Sequence, residues 1–281
     1  MKALAIAASL LVSLVLSASA VAVDNGVPDG HRHPNVGMLG FDFDAEGGSP
    51  PYFLCTGSVL SDRAFLTAAH CIDVFDDTVQ WVASLEPGHP SEPAYMPGFV
   101  FDDFPFEITA DVERPVATIV HPGFDPETLE HDLAVLVFAP GTFDVRPIEL
   151  PRPRLLDAHA RQGQLETASF TLVGYGADPD HSTQPPRYFA RGYRQTASAA
   201  FLAIDSRQLQ LVGAGGRGGL CLGDSGSPQL LPGTRIAVSQ LSAVGDTCQE
   251  IIAQRLDVPA DRGFLARYAN GSRSARTSSS P

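Results

Sequence analysis

At 281 residues, the chain is long enough for one large domain or two moderate ones, each with a core sufficient for independent folding. A formal charge of −13 argues against nucleic acid or an anionic membrane surface as a partner. The 26 glycines and 23 prolines favour many turns and short strands over long helices.

The chain opens with Lys2, an apolar run from Ala3 to Leu16, and the small-residue sites Ala18-Ser19-Ala20 and Ala20-Val21-Ala22. That pattern predicts a secretory signal peptide over residues 1–22, cut after Ala20 or Ala22. A membrane anchor needs about 20 apolar residues; this run is shorter, and no later stretch is long and apolar enough to span. Lys2 is the only lysine, so its removal takes the charge from −13 to −14. In an exported protein four cysteines read most simply as two disulfides, with three pairings open. Cys55, Cys71, Cys221 and Cys248 contain no Cys-x-x-Cys pair, which disfavours zinc. No metal and no cofactor is expected.

Short β-branched and aromatic segments then recur between turn signals, at Phe53 to Leu60, Thr78 to Leu85, Val116 to Val120, Leu133 to Phe138, Phe170 to Tyr175 and Arg235 to Leu241. Helical periodicity waits until Val258 to Tyr268, with Asp257 near the expected N-cap. The stretch Pro140 to Arg154, with four prolines and Gly141, reads as a linker. The expected organisation is therefore a β unit at 23–140, a linker at 141–154, a second β unit with its helix at 155–270, and a disordered tail at 271–281. Asn270-Gly271-Ser272 matches a glycosylation acceptor, a triplet common by chance.

The chemistry lies in three places. Gly223-Asp224-Ser225-Gly226-Ser227-Pro228 sets a serine among glycines, where backbone N–H groups can approach a substrate closely. A hydroxyl becomes a useful nucleophile only when a base takes its proton, and a carboxylate must hold that base in one tautomer. His70 ends the apolar Leu66-Thr67-Ala68-Ala69 run, and Asp132 precedes the core strand Leu133 to Phe138. Singly, each fragment has a plainer meaning: a turn, a packed histidine, a solvated strand entry. Together, in the order His, Asp, Ser, they point to a nucleophilic triad. The α/β-hydrolase elbow Gly-x-Ser-x-Gly is excluded because Ser227 stands at its last glycine. None of the 8 histidines follows His181, so no base comes after the serine. An Asp, His, Ser order could be drawn from Asp42, Asp44 or Asp62, but it would leave Asp132 and the cysteines unexplained.

The segments Thr67-Ala68-Ala69-His70-Cys71, Asp132-Leu133-Ala134-Val135 and Gly223-Asp224-Ser225-Gly226-Ser227-Pro228 resemble the signature segments of the trypsin/chymotrypsin family, over roughly residues 23–268. The resemblance implies an all-β fold: two six-stranded antiparallel β-barrels, the active-site cleft between them, and a C-terminal helix. It implies a catalytic triad of His70, Asp132 and Ser225, an oxyanion hole from the Gly223 and Ser225 N–H groups, and disulfides Cys55–Cys71 and Cys221–Cys248. It also implies an N-terminus freed at Val23 and paired with Asp224. Val23-Asp24-Asn25-Gly26 is similar to the family's mature start and directly follows a signal-peptidase site, with no activation peptide between.

Three departures from the family pattern bear on substrate. The pocket-base position is Gly219, followed by Leu220, with Leu222 beside the oxyanion glycine, so an apolar pocket is expected. The glycine-rich stretch 213–219 leaves its size open. The family's Ser-Trp-Gly segment is replaced by Ser242 (less readily Ser239) followed by Ala243 and Val244. The segment Glu86 to Val112 is longer than usual, and reads as a surface excursion slightly more than as a rim loop; its Asp102-Asp103 pair reads as solvated more than as a Ca²⁺ site. The expectation is a secreted, extracellular monomeric endopeptidase that cuts polypeptides after apolar residues. The alternatives are a non-catalytic binding protein on the same scaffold and an esterase using the same triad.

Overall fold

The computed structural model describes residues 23, 26–43, 51–75, 79–85, 94–96, 108, 111–180, 187–190, 192–213 and 218–269. The signal segment, Asp102-Asp103, residues 214–217, the Asn270 triplet and the tail lie outside them.

In chain order, the first half comprises β1 (Val27–Pro28), β2 (Val36–Asp42), β3 (Tyr52–Ser61), β4 (Ala64–Thr67), the short helix α1 (Ala69–Asp73), β5 (Gln80–Ser84), β6 (Ala94–Met96), β7 (Ala117–Val120) and β8 (Ala134–Val137). Six of these strands form an antiparallel sheet in the order β5-β2-β3-β4-β8-β7. The sheet curls, and Ala83 of β5 exchanges backbone hydrogen bonds of 2.8 and 2.9 Å with Glu113, ahead of β7.

The second half comprises helix α2 (Leu155–Arg161), β9 (Ser169–Gly174), β10 (Ala177–Asp180), β11 (Arg187–Ala190), β12 (Gln195–Ile204), β13 (Gln208–Gly213), β14 (Pro228–Leu230), β15 (Ala237–Val244), β16 (Glu250–Arg255) and helix α3 (Pro259–Ala269). Strand β12 pairs with both β13 and β9, so β12-β13-β16-β15-β14-β9 closes on itself as a six-stranded barrel, with β1 added outside β12. The fold is thus mostly β, as expected, with one half fully closed and the other a curled sheet. Strand β13 shows how the sequence builds the wall. Leu209 and Leu211 are fully buried while Gln208 and Gln210 stand half-exposed, the two-residue alternation of a sheet with one face on a core.

Each half has its own apolar cluster, one containing Leu39, Phe41, Phe65 and Leu136, the other Leu172, Leu209, Leu241 and Ile251. A third cluster joins them, setting Val36, Leu66 and Val135 with Val173, Leu230 and Phe264. The chain between the halves follows the same seam: Ile148 N–H donates to Val59 C=O at 2.9 Å, and Glu149 N–H to Arg235 C=O at 2.7 Å. Part of the long segment after β5 also crosses over, because β6 pairs with β11 in a three-stranded sheet β10-β11-β6. That segment is more than a surface excursion.

Asp257 sits just before α3, yet its carboxylate serves a different helix. Oδ2 accepts the Leu156 N–H of α2 at 2.8 Å, and Oδ1 accepts from Arg255 Nε at 2.9 Å. Arg154, at the N-cap of α2, offers no side-chain cap of its own, so a residue a hundred positions away fills the role.

The most buried cation among the described residues, Arg194, ties the segment after Val23 to both halves. It donates to Asp29 Oδ2 at 2.9 Å, Val36 C=O at 2.9 Å, Gly30 C=O at 2.7 Å and Tyr175 Oη at 3.1 Å. Burial pushes the Asp29 carboxyl up, but hydrogen bonds from His33 and Arg194 outweigh it and hold the group below its ordinary range. A depressed carboxyl stabilises the fold above its unfolded pKa of about 3.9, and that stability is lost as pH falls through the folded value. Arg194→Met should cost up to about 3–5 kcal/mol at neutral pH, since it removes the buried cation from a carboxylate that then keeps only its His33 hydrogen bonds and the more distant Arg32. In urea unfolding, the gap from wild type should narrow as pH drops below the carboxylate range.

Candidate active site

His70 enters on α1, which has no side-chain cap from Ala68. The cap comes from the fully buried Asp132, whose Oδ1 accepts the His70 N–H at 2.8 Å. The same carboxylate reaches His70 Nδ1 through Oδ2, also at 2.8 Å. One aspartate therefore fixes both the backbone and the ring of one histidine. A carboxylate only accepts, so Nδ1 carries the proton and Nε2 is left bare. Nε2 lies 2.9 Å from Ser225 Oγ, and the hydroxyl is its natural donor. The ring and hydroxyl remain half-exposed at the seam.

The serine loop is held by backbone. Gly223 and Gly226 flank the Asp224-Ser225 pair with φ of +90° and +82°, values that side-chain-bearing residues rarely adopt. Thr56 of β3 donates its N–H to Ser225 C=O at 2.9 Å and its hydroxyl to Gly223 C=O at 3.0 Å. Among the described residues, neither the Gly223 nor the Ser225 N–H donates to another group. Asp224 is fully buried, its carboxylate accepting Gly176 N–H at 2.8 Å and Cys221 N–H at 2.9 Å. A Cβ built on Gly174 would come within 2.0 Å of Asp224 Oδ1; only glycine leaves the carboxylate its place. Val23 is fully buried in the barrel cluster that also holds Leu220, beside Cys221.

The cysteines pair as Cys55–Cys71 and Cys221–Cys248. The first lies directly behind His70; the second closes the serine loop against the β15–β16 turn. The other expected pocket residues divide. Leu222 is half-exposed beside Gly223. Leu220, expected to line a pocket, is fully buried among the barrel-core residues. Gly219 lies under the Cys248 carbonyl, which an added Cβ would meet at 1.7 Å. Ser242 Oγ is buried without a hydrogen-bond partner among the described residues, whereas the Ser239 hydroxyl donates to Gln229 Oε1 at 2.8 Å.

A second cluster of metal-capable side chains, His121, His131 and Asp261, lies beside Asp132. Asp261 Oδ1 is 2.5 Å from His131 Nδ1, and the two imidazoles stack at 4.6 Å. Gly123 N–H donates to His121 Nδ1 at 3.0 Å, so the neutral ring carries its proton on Nε2, the atom turned towards Asp261. That nitrogen offers a cation no lone pair. Burial pushes the His121 imidazole below its ordinary pKa, outweighing Asp261; the cluster reads as a joint between the Asp132 loop and α3.

Against known proteins, the Trypsin family profile matches residues 38–255. The chain belongs to the trypsin family. It is 26% identical over 212 residues to the venom serine protease Bi-VSP of Bombus ignitus, covering 71% of this chain and 54% of that protein. It is 28% identical over 134 residues to the inactive serine protease PAMR1 of Bos taurus, covering 46% of this chain and 18% of that one. The chain thus spans about half of the first and under a fifth of the second. Among solved structures, human heparin binding protein superposes with a TM-score of 0.60 at 14% identity, over 86% of this chain and 95% of that one. HL collagenase gives 0.58 at 19%, over 84% and 94%. At such identities the likeness is one of fold.

Two glycines of this trypsin-family fold separate tight from permissive positions. Gly174→Ala should destabilise by at least about 1–3 kcal/mol through overpacking against Asp224. Gly263, on α3 with nothing within 4 Å of an added Cβ, should tolerate alanine and gain about 0.5–1 kcal/mol. Urea unfolding of the two variants checks the contrast.

Proposed function

We propose that the chain is a secreted serine endopeptidase in which Ser225, His70 and Asp132 hydrolyse peptide bonds through an acyl-enzyme. The observation that carries this reading is the continuous line from Asp132 through the His70 ring to Ser225 Oγ, with contacts of 2.8 and 2.9 Å. His70 Nε2 takes the hydroxyl proton as Oγ attacks the carbonyl carbon. It then returns that proton to the leaving amine, and water repeats the sequence to release the acid. The Gly223 and Ser225 N–H groups receive the developing oxyanion; losing one such donor typically costs about 10²–10³ in rate.

A relative named as inactive lies in the same family, so membership alone does not carry activity. The reading rests on the three side chains and the open oxyanion donors. Neither Gly219, under a backbone carbonyl, nor the neighbouring Leu222 offers a countercharge. Burying an unpaired Lys or Arg there would cost several kcal/mol, so the preferred residue before the scissile bond is apolar.

Ser225→Ala and His70→Ala should each lower turnover by about 10⁶ while the protein still unfolds cooperatively. The wild type should label at Ser225 with a fluorophosphonate and cut a peptide library after apolar residues. Full hydrolysis by Ser225→Ala would refute the triad, and a profile dominated by Arg and Lys would refute the pocket.

The buried Val23 supports a companion proposal about maturation. Signal peptidase, cutting after Ala22, frees an α-amino group at Val23 that pairs with Asp224 and orders the Gly223 loop, with no separate zymogen. N-terminal sequencing of the active secreted protein should begin at Val23. A start at Val21 with full activity would overturn it.

A further inference from the structure

Strands β4 and β8 pair side by side, Thr67 opposite Ala134, and both leave the sheet at the same end. One continues into His70, and the other is entered from Asp132. At that end the carbonyls of Thr67 and Asp132 point towards the second barrel, where Gln240 of β15 meets both. Its Nε2 donates to Asp132 C=O at 2.7 Å and to Thr67 C=O at 3.0 Å. Gln240 is 1% exposed, so both contacts lie out of water. Its Oε1 is buried and finds no partner among the described residues. An unsatisfied buried acceptor is unfavourable, so an apolar side chain here would relieve a cost and a glutamine must act through its two donors. One residue further along β15, beside Ser225, Leu241 N–H donates to Ser227 C=O at 2.9 Å and its own C=O accepts the Gly226 N–H at 2.9 Å. One strand therefore touches the backbone of all three site segments.

From this we infer that Gln240 is a positioning residue for the triad. Its carboxamide clamps the carbonyls of Thr67 and Asp132 across the seam and so sets the His70 ring in line with Ser225 Oγ. The inference rests on the triad reading above, with Gln240 acting through backbone and touching no substrate. Replacement by methionine keeps the length and apolar volume of the side chain and removes both donors. Both carbonyls then lose their donor from the second half, the Asp132 loop relaxes, and the ring swings off its line. A misplacement of about 1 Å remote from the chemistry costs on the order of 10² in rate.

The test compares wild type, Gln240→Met and Phe143→Leu. Phe143 packs on Phe65 and Phe138 at the other end of the same strands, and its variant shows how far a loss of stability alone moves the readouts. The first readout is the low-field proton resonance of His70 Nδ1–H, assigned by its absence in His70→Ala. It should be present in wild type and Phe143→Leu, and lost or shifted upfield in Gln240→Met. The second is inactivation by a fluorophosphonate at saturating and subsaturating concentration. Gln240→Met should lower the limiting rate constant about 10²-fold with the half-saturating concentration unchanged. An unaltered resonance in Gln240→Met, or changes no larger than those of Phe143→Leu, would overturn the inference. A wild type that shows the resonance but does not react would sink the peptidase reading alone, and the resonance still decides the role of Gln240.

Discussion

The contact between His70 Nε2 and Ser225 Oγ joins residues 155 positions apart, carried by different halves of the molecule. A hydrogen bond of 2.9 Å between side chains tolerates displacements of only a few tenths of an ångström. Everything between the two residues must therefore be held to that tolerance. The seam meets this demand with two kinds of interaction. The shared apolar cluster of Leu66, Val135, Val173 and Leu230 brings the halves together without direction. Directional bonds then set the register: Thr56 to the carbonyls of Gly223 and Ser225, and Gln240 to those of Thr67 and Asp132.

Polar groups at this seam are almost all backbone or bound to backbone. Thr67 Oγ1 donates to Thr56 C=O at 2.9 Å, and an added Cβ on Gly226 would meet that same Thr67 oxygen at 2.5 Å. The same Cβ would meet the backbone at Thr56 C=O and at Ala68 N, 2.8 Å away, so the histidine-bearing and serine-bearing segments pack main chain against main chain at Gly226. Tyr175 extends the pattern, its N–H reaching Thr56 Oγ1 at 3.3 Å and its hydroxyl meeting Arg194 at 3.1 Å. The carboxylate network around Arg194 and the serine loop therefore share one strand end, the exit of β9.

Much of this was legible in the residues. Segments such as Phe53 to Leu60 and Phe170 to Tyr175 return as strands within a residue or two of their expected ends, because β-branched runs between turn signals constrain the backbone locally. The placement of His70, Asp132 and Ser225 was legible through the family resemblance of their flanking segments. Helix α2 was not: seven residues carry too little periodicity, and its cap comes from Asp257 far along the chain. The same distance hid Gln240, which in sequence is one polar residue in an alternating strand. Leu220 misled for a related reason. Its position beside Cys221 says that it is near the serine, while only the packing shows that it faces the barrel core.

The two halves close differently, and the difference bears on how the site is kept in register. The barrel that carries Ser225 is bonded all the way round, so its strands cannot slide without breaking a ladder. The sheet that carries His70 and Asp132 closes at its edges through the Ala83–Glu113 bridge, a weaker joint than a full strand pair. A change of register at the seam is therefore more easily made by the sheet that carries the histidine and aspartate than by the barrel that carries the serine. The residues that restrain it should then come from the rigid side. Gln240 lies on β15 of the closed barrel, and Asp261, which holds His131 next to Asp132, lies on α3 directly after it. Both reach the aspartate loop from the second half of the chain.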